Sequence, residues 1–372
     1  MPALLCALLS FIAVAAGKHA ATGTCTSGSS GTAGVNKVLG YVTPWNARGY
    51  EVAKQHKEKL SHICPVWYQL KVQDATPVLT GGYDVDAEWM TELRKPKDEE
   101  DRVPRIMPRV MVEMQPEQHI AMLTVFKTDV IQLLVRECKR NSFDGLVLEV
   151  WFTWYAMGLL QQHFALAKAF LQSLARSLHK QDGYDGLPME LILAVPPPVP
   201  AAEGQPAPIT AAQFSELEHF IDGFSLMTYD HNGYGTPGPN APLPWVQANL
   251  KQLKPPRQHR EKLLLGLNFY GRDFSAHSGV HDVLGNGYRE ASALQSAVRN
   301  WDEAYQEHAL SYKKAGEEHV MFYPSVESIQ ARVSLAQGAG VGVAIWELGQ
   351  GLDEFMGVLA KDEAPSERDR EL

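Results

Sequence analysis

Asn141 to Trp154 reads NSFDGLVLEVWFTW, and its middle decides the fold. From Phe143 to Trp151 the apolar residues are Val and Leu throughout, the composition of a strand buried on both faces. Such a strand belongs to a parallel sheet. Two carboxylates, Asp144 and Glu149, interrupt the run, and a carboxylate among apolar neighbours is costly unless it is paired, hydrogen-bonded or used. Each therefore requires a partner or a function.

Working outward, seven further segments read as strands: Val38–Thr43 (VLGYVT), His62–Gln69 (HICPVWYQ), Arg105–Glu113 (RIMPRVMVE), Glu190–Val195 (ELILAV), Phe224–Tyr229 (FSLMTY), Lys262–Tyr270 (KLLLGLNFY) and Val341–Trp346 (VGVAIW). Helical patterns separate most of them, the longest being Pro116–Lys139 and Met157–Lys180. Strand and helix in alternation imply a parallel sheet, and eight such units imply an α/β protein of the (β/α)8 TIM barrel type. The competing doubly wound sheet lacks its usual glycine-rich phosphate loop after the first strand. Pro65 and Pro108 fit poorly inside central strands, where every N–H is needed. Residues 271–323 read as an irregular, short α+β insertion between strand 7 and the last helices, with candidate strands at Ala309–Lys313 and His319–Tyr323.

The 372 residues are 45% hydrophobic, enough for a large core, and carry a formal charge of -9. That acidity argues against a nucleic-acid or anionic-membrane partner. The one basic cluster, Lys254–Lys262 (KPPRQHREK), reads as a solvated loop. Ala3–Ala16 (ALLCALLSFIAVAA) is too short to span a bilayer and suits a signal-peptide core, so residues 1–17 are expected to be a signal peptide and residues 18–36 a flexible leader. The barrel is expected over residues 37–360, followed by a charged tail, 361–372, whose last four residues only loosely match a retrieval signal. Entry into the secretory pathway implies a secreted or lysosomal protein. Cys25, Cys64 and Cys138 remain after the signal, too few and too widely spaced for a zinc motif or a disulfide framework. No Asn-x-Ser/Thr acceptor occurs.

In a barrel of this kind the working site lies at the C-terminal ends of the strands. Tyr41, Trp45, Trp67, Glu113, Trp151, Met227, Tyr229, Asp230, Asn268, Tyr270, Trp346 and Glu347 gather at those ends. Indoles with few carboxylates suit stacking against sugar rings, although any single Trp can equally be core packing.

Leu39-Gly40-Tyr41, Phe143-Asp144-Gly145, Met227-Thr228-Tyr229-Asp230, Gly266-Leu267-Asn268-Phe269-Tyr270-Gly271-Arg272 and Gly342-Val343-Ala344-Ile345-Trp346 come in the order and spacing of one family. By these pieces the chain resembles the glycoside hydrolase family 18 chitinases and their chitinase-like relatives. Active members read Asp-x-x-Asp-x-Asp-x-Glu on the fourth strand, the final Glu protonating the glycosidic oxygen while the sugar's own N-acetyl group attacks. Here the four positions are Asp144, Val147, Glu149 and Trp151. An indole cannot donate that proton, and such proton transfer contributes about 10²–10⁴-fold. Glu149 is expected two residues, roughly 6.6 Å, deeper than Trp151, and Trp151 on the same inward face. The family's acetamide- and sugar-binding positions map onto Met227, Tyr229, Asp230, Tyr270 and Trp346, all of the family's type. The resemblance thus implies a saccharide-binding, lectin-like barrel without hydrolase activity, an oligosaccharide ligand, a scavenger-type receptor such as stabilin-1 as partner, and neither metal nor cofactor. The alternatives are an atypical hydrolase using Glu113, Glu149 or Glu347, and a protein-binding scaffold.

Overall fold

The computed structural model describes residues 37–96, 103–233 and 235–359. The expected signal, leader and charged tail lie outside the described residues. In chain order the first half contains β1 (Val38–Val42), α1 (Ala47–Gln55), β2 (His62–Pro65), β3 (Tyr68–Gln73), β4 (Thr76–Thr80), α2 (Ala87–Leu93), β5 (Arg105–Ile106), β6 (Arg109–Val112), α3 (Pro116–Leu123), α4 (Lys127–Arg140), β7 (Gly145–Glu149), α5 (Trp151–Ala156) and α6 (Leu159–Leu178). Then follow β8 (Glu190–Val195), α7 (Ala211–Leu217), β9 (Gly223–Leu226), α8 (Leu243–Leu253) and β10 (Leu263–Asn268).

Parallel pairing runs β6-β7-β8-β9-β10 and on through the last strand to β1 and β2. What closes this sheet is the pair of prolines that fitted the sequence pattern poorly. Pro65 ends β2 and Pro108 separates β5 from β6, so two courses of chain are each split into halves. The lower halves pair as β2 with β5, the upper halves as β3 with β6. Met107 N donates to Ile63 O (2.9 Å) and Val147 N to Pro108 O (3.0 Å), which carries the ladder across the break. Eight courses therefore form a TIM barrel, with a proline step on two of them.

The alternation of the strands sorts side chains into two cores. Leu39, Cys64, Val66, Met107, Val147, Ile192, Leu264 and Ala344 fill the barrel interior. Leu146 and Leu148 of β7 face outward, where they join the larger layer between sheet and helices. Burying one such side chain is worth about 1.5–3 kcal/mol, and β7 buries three in succession. Gly145 has φ +140°, and a Cβ there would lie 2.0 Å from Glu190 O, so the residue after Asp144 must lack a side chain. Cys64 and Cys138 are buried free thiols.

Residues 271–322 form a sheet of their own rather than irregular chain. It contains β11 (Gly271–Ser275), β12 (Gly279–Val283), α9 (Gly285–Ser292), β13 (Val298–Asp302), β14 (Glu307–Lys314) and β15 (Glu317–Phe322), antiparallel in the order β12-β11-β15-β14-β13. Three of these strands escape the sequence pattern because β12 and β13 are exposed and polar, and β11 directly continues the apolar run of β10. The chain then returns through α10 (Val326–Ala339), whose Ser325 cap accepts from Ser328 N, to β16 (Gly342–Trp346). Of the two long helices expected on either side of β7, Pro116–Lys139 is broken into α3 and α4, whereas Met157–Lys180 is the single helix α6, kinked at His163. Leu352–Ala360, whose composition reads as a final helix, contains instead a 3-10 segment, Asp353–Val358.

Candidate functional site

The barrel has two ends, and at its floor the charges around Asp144 and Glu190 are used up by the fold. Asp144, just before β7, accepts from Ile106 N (2.8 Å) and Tyr184 N (2.7 Å) and pairs with Arg94 (3.4 Å), itself stacked 4.0 Å over the Tyr184 ring. Next to it Glu190 meets Arg105, Lys37 (3.4 Å) and His62 (3.1 Å). Burial opposes the charge on Glu190, but the His62 hydrogen bond and the Lys37 and Arg105 charges prevail and hold its carboxyl far below the usual range. Burial also lowers the His62 pKa.

The mouth, at the C-terminal ends, is composed differently. Glu149 is the last residue of β7 and points into the barrel, where Arg109 Nη1 donates to its Oε2 at 2.7 Å. Its side chain keeps 24% of its exposure. The Arg109 guanidinium lies 5.5 Å from the Trp346 ring, and Trp346 in turn tilts against Tyr41 at 5.3 Å. Tyr41 OH reaches across the interior to Ser225 Oγ (2.9 Å). Arg109 Nε is buried without a hydrogen-bond partner, and the Tyr229 hydroxyl has none among the described residues. Burial first, then the Asp230 and Glu149 charges, pushes the Tyr229 phenol far above its ordinary value. It is a neutral hydroxyl throughout the physiological range.

Beside this centre lies a second polar group. Tyr270 OH and Arg272 Nη2 (2.6 Å) both donate to Asp230 Oδ1, and Tyr229 packs edge-on against Tyr270 at 6.3 Å. Asp230 remains 46% exposed at its side chain. Met227 is half-buried at the end of the same strand course. An indole, neutral phenols, a guanidinium and two carboxylates together can hold a ligand rich in hydroxyls.

Several expected site residues lie elsewhere. Trp151 does not follow Glu149 on the inward face, because β7 stops at Glu149 and Trp151 opens α5. The turn at Val150 (φ -150°, ψ -20°) breaks the alternation. Trp151 is fully buried in the outer layer, donating through Nε1 to Pro208 O at 2.9 Å. Trp67 is likewise buried outside the barrel, bonded to Tyr50 OH at 2.7 Å, since the step at Pro65 ends the strand before it. Glu347 is fully buried and accepts from Asn46 Nδ2 (2.6 Å) and Gly349 N (3.0 Å). Burial raises its pKa. The Trp346–Glu347 peptide is cis. Asn268 is buried and donates to Tyr270 O (2.8 Å), holding the turn beneath the mouth. Glu113 is exposed and paired with Lys71 at 3.0 Å. Trp45 stands 69% exposed on the loop after β1.

Sequence reasoning missed Arg109. The available signal was its sign: an inward carboxylate on one strand asks for a cation on the next, and Arg109 is the charged residue inside the neighbouring apolar run. Volume does not mark the site either. A groove of about 770 Å³ lies between α1 and α2, lined by Tyr50, Trp89, Glu51 and Asp86, away from the Glu149 centre.

The model of the family described as "Glycosyl hydrolases family 18" matches residues 37–351. The chain belongs to that family. Among solved structures, a chitinase from Chromobacterium violaceum superposes with a TM-score of 0.72 at 20% identity, over 88% of this chain and 99% of that one. The spore cortex-lytic enzyme SleL of Bacillus cereus gives 0.69 at 14%, covering 89% and 75%. A family 18 N-acetylglucosaminidase from Paenibacillus barengoltzii gives 0.65 at 18%, covering 87% and 98%. These likenesses show that the family 18 fold is shared.

Proposed function

We propose that this family 18 chain is a saccharide-binding protein, lectin-like, that takes chito-oligosaccharides or related glycans without cleaving them. The observation that carries the reading is Trp151: the position of the family's proton donor holds an indole that is buried, turned out of the barrel and bonded to Pro208 O. Around the mouth, Tyr229, Asp230, Tyr270, Trp346 and Met227 supply stacking and hydrogen-bonding groups, and Trp45 offers an open indole at the rim. Two of the three proteins named above are a chitinase and an N-acetylglucosaminidase, which supports a glycan of that class.

One observation favours a second reading. With Trp151 turned away, Glu149 is the uppermost inward carboxylate of β7 and remains partly exposed, so an atypical hydrolase would use it. Against this, its Oε2 already accepts from Arg109, and the other two carboxylates weighed for the role are a buried cap (Glu347) and an exposed partner of Lys71 (Glu113).

The phrases GYVTPWN (Gly40 to Asn46), FSLMTYD (Phe224 to Asp230), PGPNAPL (Pro237 to Leu243), LLGLNFYG (Leu264 to Gly271) and IWELGQGLD (Ile345 to Asp353) support a kinship with chitinase domain-containing protein 1. On that basis the protein is secreted or lysosomal and is presented to a scavenger receptor of the stabilin-1 type. No helix among the described residues is long and apolar enough to cross a membrane. The test is a chito-oligosaccharide titration followed by Trp fluorescence, with the same mixture assayed for products. Binding without products is expected. Products that vanish in Glu149→Gln select the hydrolase, and no binding at all selects the scaffold.

A further inference from the structure

We infer that Glu218, His219 and His259 form a binding site for one divalent transition-metal ion of the zinc class, at the end of the barrel opposite the mouth. Glu218 and His219 follow α7 where the chain turns into β9, and His259 lies in the 3-10 segment Arg257–Lys262 that leads into β10. Both connections enter strands at their N-terminal ends, which puts the cluster on the floor side. One ligand atom from each residue lies within 4.8 Å of the others.

The detail that points to an ion is a carboxylate oxygen without a hydrogen-bond donor. Glu218 is 2% exposed, and neither its Oε2 nor His259 Nδ1 makes a hydrogen bond, although the two atoms are 3.2 Å apart. A buried carboxylate oxygen with no hydrogen bond is costly, and a cation between the two atoms removes that cost. Their separation suits the purpose. With metal–ligand bonds of about 2.0–2.2 Å, two ligands on a tetrahedral zinc stand roughly 3.3 Å apart. His219 is exposed, its ring 5.9 Å from that of His259 and steeply inclined to it, so it can turn its nitrogen to the same point. Lys262 does not compete for the carboxylate: its ammonium is spent on the backbone oxygens of Glu218 (2.6 Å) and Ile221 (2.9 Å). Two imidazoles and one carboxylate suit zinc and its borderline neighbours and leave a fourth position for water. The sequence alone gave no metal motif because the two halves come from different connections. His259 sits inside the basic KPPRQHREK run, which reads as a solvated loop.

The test uses the full chain without a polyhistidine tag, stripped with a chelator and titrated with zinc by calorimetry and with cobalt by visible absorption. One equivalent of zinc is expected, together with the intense visible bands of four- or five-coordinate cobalt. His219→Ala, at an exposed position that leaves the fold intact, is expected to weaken binding by about tenfold or more. His259→Ala is expected to do the same. Binding of equal strength in the wild type and in the double variant would overturn the assignment, as would cobalt bands no stronger than those of the hexaaqua ion.

Discussion

β7 has a carboxylate just before its first residue and another at its last, and the fold uses them in opposite ways. Asp144 is buried at the floor with Arg94 and the N–H groups of Ile106 and Tyr184 arranged around it. Glu149 at the mouth has Arg109 and partial exposure. One carboxylate is a fastening between connections, the other is available to a ligand. The charge type is identical, so function follows from how completely the protein satisfies each group.

The difference can be broken most severely at the floor. Asp144→Ala strands the Arg94 guanidinium and two N–H groups in a buried place, and removal of one partner from such a pair costs about 3–5 kcal/mol. Urea unfolding is expected to show that loss. A loss below about 1 kcal/mol would mean that the floor network does not hold the barrel. Next in size is Trp346→Ala, which removes the indole between Tyr41 and Arg109. Truncating a central Trp of a binding surface costs about 2 kcal/mol, roughly thirtyfold in affinity. Calorimetry with chito-oligosaccharides reads it, and Trp45→Ala, at the rim, should cost less.

Acid sharpens the contrast further. His62 has a lowered pKa when folded, so its contribution is full above the unfolded value of about 6.5 and declines as pH falls through it. Glu190 has a depressed pKa when folded, so its contribution is full above about 4.3 and is lost as pH falls towards its folded value. The melting temperature is therefore expected to fall in two stages on acidification. Glu190→Gln should flatten the lower stage. The smallest effect is expected at the mouth: Glu149→Gln still leaves the buried Arg109 an amide oxygen to donate to, so it should cost about 1–2 kcal/mol, less than Asp144→Ala. If it costs as much as Asp144→Ala, Glu149 is structural and the contrast fails.

Much of this was legible from residue patterns. The alternation of apolar runs with helical segments foretold the barrel, and the demand that Asp144 and Glu149 find partners was correct for both. Pro65 and Pro108 were legible as anomalies but not as the steps that split two strand courses. The inward position of Trp151 was misjudged because strand alternation was extended two residues beyond the strand, past the turn at Val150. Trp67 and Glu347 were misjudged for related reasons, a break before one and a capping role for the other. Period-two reasoning sorts faces only while the strand lasts, and strand ends are where a barrel keeps its chemistry.

We propose above that this family 18 barrel has kept a saccharide-binding mouth and lost its proton donor. The most direct measurement is a single incubation of the protein with chito-oligosaccharides, read both for the change in Trp fluorescence and, by mass spectrometry, for shortened products. Saturable quenching or enhancement that Trp346→Ala weakens is expected, with the oligosaccharide recovered intact. Shortened products from the wild type that disappear in Glu149→Gln would contradict the proposal.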